Sequence, residues 1–366
     1  MLLKLARAAF LSRLLPMNAL SGDLAAFTPF ALFPPEVDEK GWFLGRDELG
    51  RPIFLDVEKL PSMHGVVLGT TGSGKSTLAR HISLEAWKSG VNVWVIDPHG
   101  EEEYRRLIVE RMGGVEIDLS MQGFDVTNHE GWVLGDYAQT LAEIVASSYG
   151  VPAMFSFSLK DGILRYLSRG ERDALLSPLL SFNGELRISE LVGKNVYVTM
   201  RGEKGRVSLQ RMRIGVQVLL ARLDGIMRSR APTHAAKLLI VVDEAHNLFQ
   251  LYEGSFLSQL YRESRKFGYS ILSLVQIPSF LPEDIYSLAG FMVYLSGPKE
   301  YVEELARYSY LTRENIEWLL YRVRGNAVLT RQGDPRPRNI VLEPAPEALG
   351  LGAYGSLRRS SGGFPG

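Results

Sequence analysis

The chain has no cysteine among its 366 residues, which excludes disulfide stapling, thiolate nucleophiles and cysteine-ligated zinc or iron–sulfur centres. Histidine is scarce as well. The six are scattered and none stands in an HExxH pair, so no dedicated transition-metal site is expected. Neither charge is in excess, with 41 Lys and Arg against 41 Asp and Glu. No global field therefore draws the protein to nucleic acid, and any such contact must come from a local basic cluster. Long uninterrupted apolar runs are also missing. Residues 1–20, MLLKLARAAFLSRLLPMNAL, come nearest. Lys4, Arg7 and Arg13 interrupt them, whereas a membrane span wants about 20 mostly apolar residues and a signal peptide an unbroken core. Two readings stay open for this stretch: a helix packed on its own domain or on a neighbouring subunit, or a basic amphipathic helix on a membrane surface. With 46% apolar residues the chain can still bury a sizeable core, as one large domain or two.

What is present centres on Gly69-Thr70-Thr71-Gly72-Ser73-Gly74-Lys75-Ser76-Thr77, which matches GxxxxGK[ST] without departure. Gly65–Leu68 before it has the pattern of a short buried strand, and Leu78–Lys88 after it reads as a helix. In that order the segment is a phosphate-binding loop. Gly69, Thr71, Gly72, Ser73, Gly74, Lys75, Ser76 and Thr77 are the expected cradle for ATP, with Lys75 reaching the β and γ phosphates and the Ser76 hydroxyl a ligand for Mg²⁺.

Residues 41–63 read as a hairpin turning at Leu49-Gly50-Arg51-Pro52 and leading into the phosphate-loop strand. The helix after the loop leads to a second strand, Val91–Ile96, so a βαβ unit and a parallel sheet are expected. Asp97-Pro98-His99-Gly100-Glu101 then leaves the carboxyl edge, where ligands bind in such sheets. Residues 130–190 show helical periodicity at 137–147, 154–167 and 171–180, read as a helical insertion or lid. After a strand at Asn195–Met200 comes a polar loop with Arg201, Lys204 and Arg206, candidate DNA contacts, and a long helix at 209–228.

Lys237–Val242 is an apolar strand ending in Asp243-Glu244. This is the Walker B arrangement, with Asp243 orienting Mg²⁺ and Glu244 polarising the attacking water. A helix at 254–266 and a strand at 270–275 follow, and Gln276 at the strand's tip is placed to sense the γ-phosphate. Further expectations are a short helix at 283–287, a strand at 290–295, helices at 300–307 and 313–320, and a terminal hairpin at 326–331 and 339–342. The Gly- and Ser-rich tail has few large apolar side chains.

GTTGSGKST at 69–77, VIDPHGEEEY at 95–104, VVDEAHNL at 241–248 and SRKFGYSILSLVQIPSFLPEDI at 264–285 together resemble the HerA/FtsK superfamily of ring-shaped DNA-pumping ATPases. Within it they resemble the branch shared by HerA helicase-translocases and conjugation-type (type IV secretion) ATPases. Archaeal DNA-import ATPases of the CedB kind are a nearer comparison inside that branch. The resemblance covers about residues 30–345. It implies a RecA-like α/β core with a mainly parallel sheet, a helical insertion and a C-terminal hairpin, divided as 1–40 lead-in, 41–129 and 191–345 core, 130–190 insertion and 346–366 tail. It further implies an ATP- and Mg²⁺-dependent hexameric motor that moves duplex DNA through its channel, in the cytoplasm or at the cytoplasmic face of a membrane, with a membrane channel or nuclease as partner. Arg265 would be an arginine finger acting on the neighbouring subunit, with Arg262 one turn earlier as the second choice.

A protein-secretion or pilus-assembly motor of the same core is the alternative. A transporter subunit of the ABC type is disfavoured, since no LSGGQ-like signature lies between the Walker motifs and Leu295-Ser296-Gly297-Pro298 departs from it. The branch carries a β-barrel or a large domain at its N-terminus, for which there is no room before residue 41. Either a minimal protein or a shortened chain is therefore expected.

Overall fold

The computed structural model describes residues 38–350, apart from 153–154, 203–206, 250–254, 264–265, 321–322, 324 and 335. The chain divides into a small unit, Met1–Val37 with Asp334–Arg336, and a large one, Asp38–Gly333 with Pro337–Gly366, which carries every element named below. Residues 1–20, the tail from residue 351 and the calls on Lys204, Arg206 and Arg265 lie outside the described residues.

The large unit is built on an eleven-stranded sheet in the order β2-β1-β11-β10-β9-β3-β8-β7-β4-β6-β5. Its parallel part runs from β9 (Phe291–Leu295) through β3 (Gly65–Leu68), β8 (Phe267–Val275), β7 (Thr233–Val242), β4 (Asn92–Ile96) and β6 (Val196–Thr199) to β5 (Val115–Asp118). Nearly every residue of β3, β4, β6, β8 and β9 is buried, as continuous apolar strands covered on both faces must be. Alternate side chains divide between two cores. Val66, Leu68, Trp94 and Ile96 face a cluster with helices α2 (Leu134–Ser148), α4 (Leu209–Arg228) and α5 (Phe256–Glu263), while Val67, Val93 and Val95 face one with α1 (Lys75–Lys88).

The antiparallel part is made by two hairpins from opposite ends of the chain. β1 (Trp42–Asp47) and β2 (Pro52–Leu55) form the first, turning at Gly50 with φ 75°, and β10 (Asn326–Arg331) and β11 (Arg338–Leu342) the second. They join through β1 and β11, so the opening hairpin is an extension of the main sheet.

The helical stretch departs from its sequence reading in one place. Helices form at Leu134–Ser148 and at α3 (Ser156–Arg169), but residues 171–180 give only a 3₁₀ turn, Ala174–Leu176, and four helical residues, Ser177–Leu180. Asp173 caps the turn by accepting from the Leu175 N–H at 3.0 Å, and Pro178 fits only a first helical turn. Tyr137, Leu141, Ile163 and Leu179 belong to the same core as Trp94 and Ile96.

Candidate nucleotide site

The loop between β3 and α1 takes its shape from its glycines. Gly72 (φ 78°) and Gly74 (φ 103°) occupy left-handed backbone that a side chain would strain, and Gly74 caps α1. Lys75 is buried, and its Nζ donates to the Gly69 carbonyl at 2.8 Å and the Thr70 carbonyl at 3.3 Å. Burial draws its pKa below the ordinary lysine value, while Glu244, Asp243 and Glu101 pull the other way.

Strand order places the acids. β8 lies between β3 and β7, so its tip residue Gln276 sits between the phosphate loop and the acidic pair ending β7. Gln276 Nε2 donates to Glu244 Oε1 at 2.5 Å, and His246 Nδ1 is 3.3 Å from Glu244 Oε2. Among the described residues Glu244 is the one non-glycine with φ in the left-handed region, at 51°. Such a backbone costs on the order of 1–3 kcal/mol and persists where its surroundings fix it, a common mark of functional positions. The Glu244 carboxylate meets Gln276, and Asp243 Oδ1 accepts from the Glu244 N–H at 2.8 Å. Burial first, and then the charge of Asp97, pushes Asp243 up to about 7.

The two carboxylates after β4 separate in role. Asp97 is buried and holds its own loop, accepting from the His99 and Gly100 N–H groups at 3.0 Å each, from the Glu101 N–H, and from the Tyr197 hydroxyl at 3.0 Å. Glu101 accepts from Ser76, lies 3.6 Å from Arg80 Nη1, and has its pKa raised by desolvation and by Asp97.

These groups line a cavity of about 920 Å³ bounded by the phosphate loop, Glu101, Glu244 and Gln276, with Arg80 and His81 of α1 along one side. Its far end is closed by Gly325, Leu342, Pro344 and Leu349, from the last strands and the turn after them. Sequence reading brought Glu101 to the ligand edge of the sheet without giving it a role, and passed over Arg80, His81 and this far wall. Glu101 stood in the DPHGE signal, whereas the others have their partners far away in the chain.

The basic candidates are placed differently. Arg201 donates to the Gly100 carbonyl, tying its loop to the Asp97–Glu101 turn. Arg262 is bonded to Asp284, with Nε 3.0 Å from Oδ2. His99 borders a separate cavity of about 590 Å³ with Arg201, Met212 and Asn247. Among the described residues no group of three or more His, Cys, Asp or Glu could hold a metal ion by itself, so a cation here would need the loop hydroxyl and a ligand's phosphates. The donor set fits Mg²⁺ on those terms. Ser76 offers a hydroxyl, and Asp243 is buried beside Asp97 with a mutual repulsion that a divalent cation relieves. Among the described residues no helix is long and apolar enough to cross a membrane.

Comparison with known proteins agrees with this geometry. Residues 39–123 match the family model "Helicase HerA, central domain". Over 74 residues, 20% of this chain and 14% of the other, it is 42% identical to the probable DNA double-strand break repair helicase HerA of Methanocaldococcus jannaschii. Over 51 residues, 13% of this chain and 19% of the other, it is 47% identical to an uncharacterized protein of Aquifex aeolicus. The matched stretches thus span under a fifth of the length of these curated relatives. Among solved structures it is similar to VirB4 of Thermoanaerobacter pseudethanolicus, with TM-score 0.66 and 19% identity over 85% of this chain and 99% of that one. It is also similar to the plasmid coupling protein TrwB in complex with ADP and Mg²⁺, with TM-score 0.57 and 17% identity over 84% and 91%. The fold is that of a phosphate-loop NTPase with a mainly parallel sheet.

Proposed function

From the match of residues 39–123 to the HerA central-domain model, we propose that the chain is an ATP-hydrolysing motor that moves duplex DNA through the channel of a ring, most simply a hexamer. The observation that carries the catalytic half is the Glu244–Gln276 pair aimed into the cavity that Lys75 borders. A protein that only bound nucleotide would have no use for a strained carboxylate there.

In this reading Lys75 exchanges its two loop carbonyls for the β and γ phosphates, and the loop N–H groups take the remaining phosphate charge. Mg²⁺, held by Ser76 and Asp243, would supply charge neutralisation at the same oxygens. Glu244 accepts the proton of the water whose oxygen forms the new bond to the γ-phosphorus as the β–γ bridging bond breaks and ADP leaves. Gln276, already bonded to Glu244, holds that carboxylate in line and registers loss of the γ-phosphate. DNA as the cargo rests on the HerA match. The protein-secretion reading differs only in what enters the channel.

One experiment addresses both halves. ATP hydrolysis is measured for wild type and Glu244→Gln, with and without duplex DNA. Expected are stimulation by DNA in the wild type, and nucleotide bound without turnover in Glu244→Gln. Near-wild-type turnover in Glu244→Gln would remove Glu244 as the base, and hydrolysis indifferent to DNA would favour the protein-secretion motor.

A further inference from the structure

Gln276 Nε2 donates to Glu244 Oε1 at 2.5 Å, yet a carboxylate fixed at one oxygen can still swing the other about that point. The group that faces the other oxygen is His246. Its Nδ1 is buried and lies 3.3 Å from Glu244 Oε2, and the described residues give it no hydrogen bond in the present geometry. Bonds around a catalytic group are often long or poorly aligned before substrate binds, and tighten with it.

Both sides of this contact are held from behind. The segment that carries Glu244 and His246 is pinned to β8 by the Ala245 N–H, which donates to the Leu274 carbonyl at 3.0 Å. It is pinned to α4 by the Asn247 carbonyl, which accepts from Arg213 Nε at 2.8 Å. The imidazole rests against Phe280, with ring centroids 5.7 Å apart. Phe280 ends the short turn Pro278–Phe280 that follows Gln276. The strand tip that supplies one contact to Glu244 therefore also backs the other. Burial lowers the His246 pKa more than the Glu244 charge raises it, so near neutral pH the ring carries a single proton.

We propose that His246 is a positioning residue for hydrolysis: with its proton on Nδ1 it donates to Glu244 Oε2 and, opposite Gln276, fixes the plane of the carboxylate that takes the proton from water. The inference rests on the reading of Glu244 as the base. His246 neither touches ATP nor carries the proton away. It acts because the carboxylate must meet a water aligned with the breaking bond, where a misplacement of about 1 Å can cost about 100-fold in rate.

The test is steady-state ATP hydrolysis by the full chain carrying His246→Asn or His246→Gln, with nucleotide affinity read from a ribose-labelled fluorescent ADP. Both variants lose the ring that packs on Phe280, and neither amide can relay a proton. They differ in reach. The Asn amide nitrogen can stand where Nδ1 was, and the Gln amide nitrogen where Nε2 was. Expected is kcat for His246→Asn within about threefold of wild type and for His246→Gln lower by about 10- to 100-fold, the worth of a hydrogen bond to a charged group. KM and the affinity for fluorescent ADP should be unchanged in both. Equal rates in the two variants, fast or slow, would overturn the inference, because packing on Phe280 or proton relay would not separate them. So would a faster His246→Gln, or a loss of ADP affinity that parallels the loss of rate. In each of these cases a Glu244→Gln variant without turnover leaves the base assignment standing. Turnover near the wild-type rate in Glu244→Gln would instead remove the base, and the role of His246 with it.

Discussion

His64 is fully buried at the foot of the phosphate-loop strand, where it joins three strands. Its carbonyl accepts from the Gly290 N–H at 2.8 Å, its Nδ1 accepts from the Ile271 N–H at 3.1 Å, and its ring lies 5.2 Å from that of Tyr261. Nδ1 must keep its lone pair, since a proton there would set one donor against another. Burial accordingly lowers the pKa from 6.5 to about 4.

The sign follows from linkage. Between pH 6.5 and 4 the unfolded chain binds this proton and the native state does not, so stability is full above 6.5 and is lost as pH falls through the window. Going from pH 7.5 to 5.0 crosses about 1.5 units below the unfolded value, and at 1.36 kcal/mol per unit His64 withdraws about 2 kcal/mol. His64→Asn keeps an acceptor beside Ile271 and does not titrate. It leaves a gap whose cost is the same at every pH. Urea unfolding at pH 7.5 and 5.0, followed by fluorescence and circular dichroism, should therefore show the wild type losing about 2 kcal/mol more than the variant. Equal losses would refute the argument.

Other outcomes follow from the same structure and the proposed mechanism. Arg265→Ala is expected to keep nucleotide affinity while turnover falls about 10³-fold or more, and rings mixed from Lys75→Ala and Arg265→Ala subunits should regain part of the ATPase rate; no recovery despite co-assembly would mean that Arg265 acts within its own subunit or that firing requires every site in the ring. Replacing Lys204 and Arg206 should weaken DNA binding for all sequences and flatten its salt dependence by about one unit of slope per contact; an unchanged slope would put them outside the channel. Arg222 is fully buried with Nη2 2.9 Å from Asp125 Oδ2, so Asp125→Ala should cost about 3–5 kcal/mol by stranding the cation. Arg222→Met combined with Asp125→Leu should cost less, and a cost for Asp125→Ala below 1 kcal/mol in urea unfolding would contradict the ion pair's role (about 0–1 kcal/mol being typical of exposed pairs).

Much of this fold was legible because its strands are continuous apolar runs and its helices are long and periodic. β3, β4, β8, β9 and α4 all lie within a few residues of their expected places. β5 was not legible. Val115-Glu116-Ile117-Asp118 pairs with β6 alone at the sheet's rim and buries only Ile117, so it gives hardly any apolar signal. Residues 171–180 carried a helical pattern that Asp173 and Pro178 cut short. At the site, the contiguous motifs could be read directly, while the wall could not, since Arg80 meets Ala348 across 268 residues. Nothing local in either segment encodes that meeting.

The pairing of β1 with β11 matters for how the chain is made. β3 and its phosphate loop leave the ribosome early, but their sheet neighbours β8 and β9 follow some 200 residues later, and β1 waits about 290 residues for β11. At roughly 5–20 residues per second, that last wait is about 15 to 60 s. Until β8 arrives, some 200 residues or about 10 to 40 s after it, Gly65-Val66-Val67-Leu68 is a bare apolar strand with two unpaired edges, the kind of segment that pairs with the wrong partner.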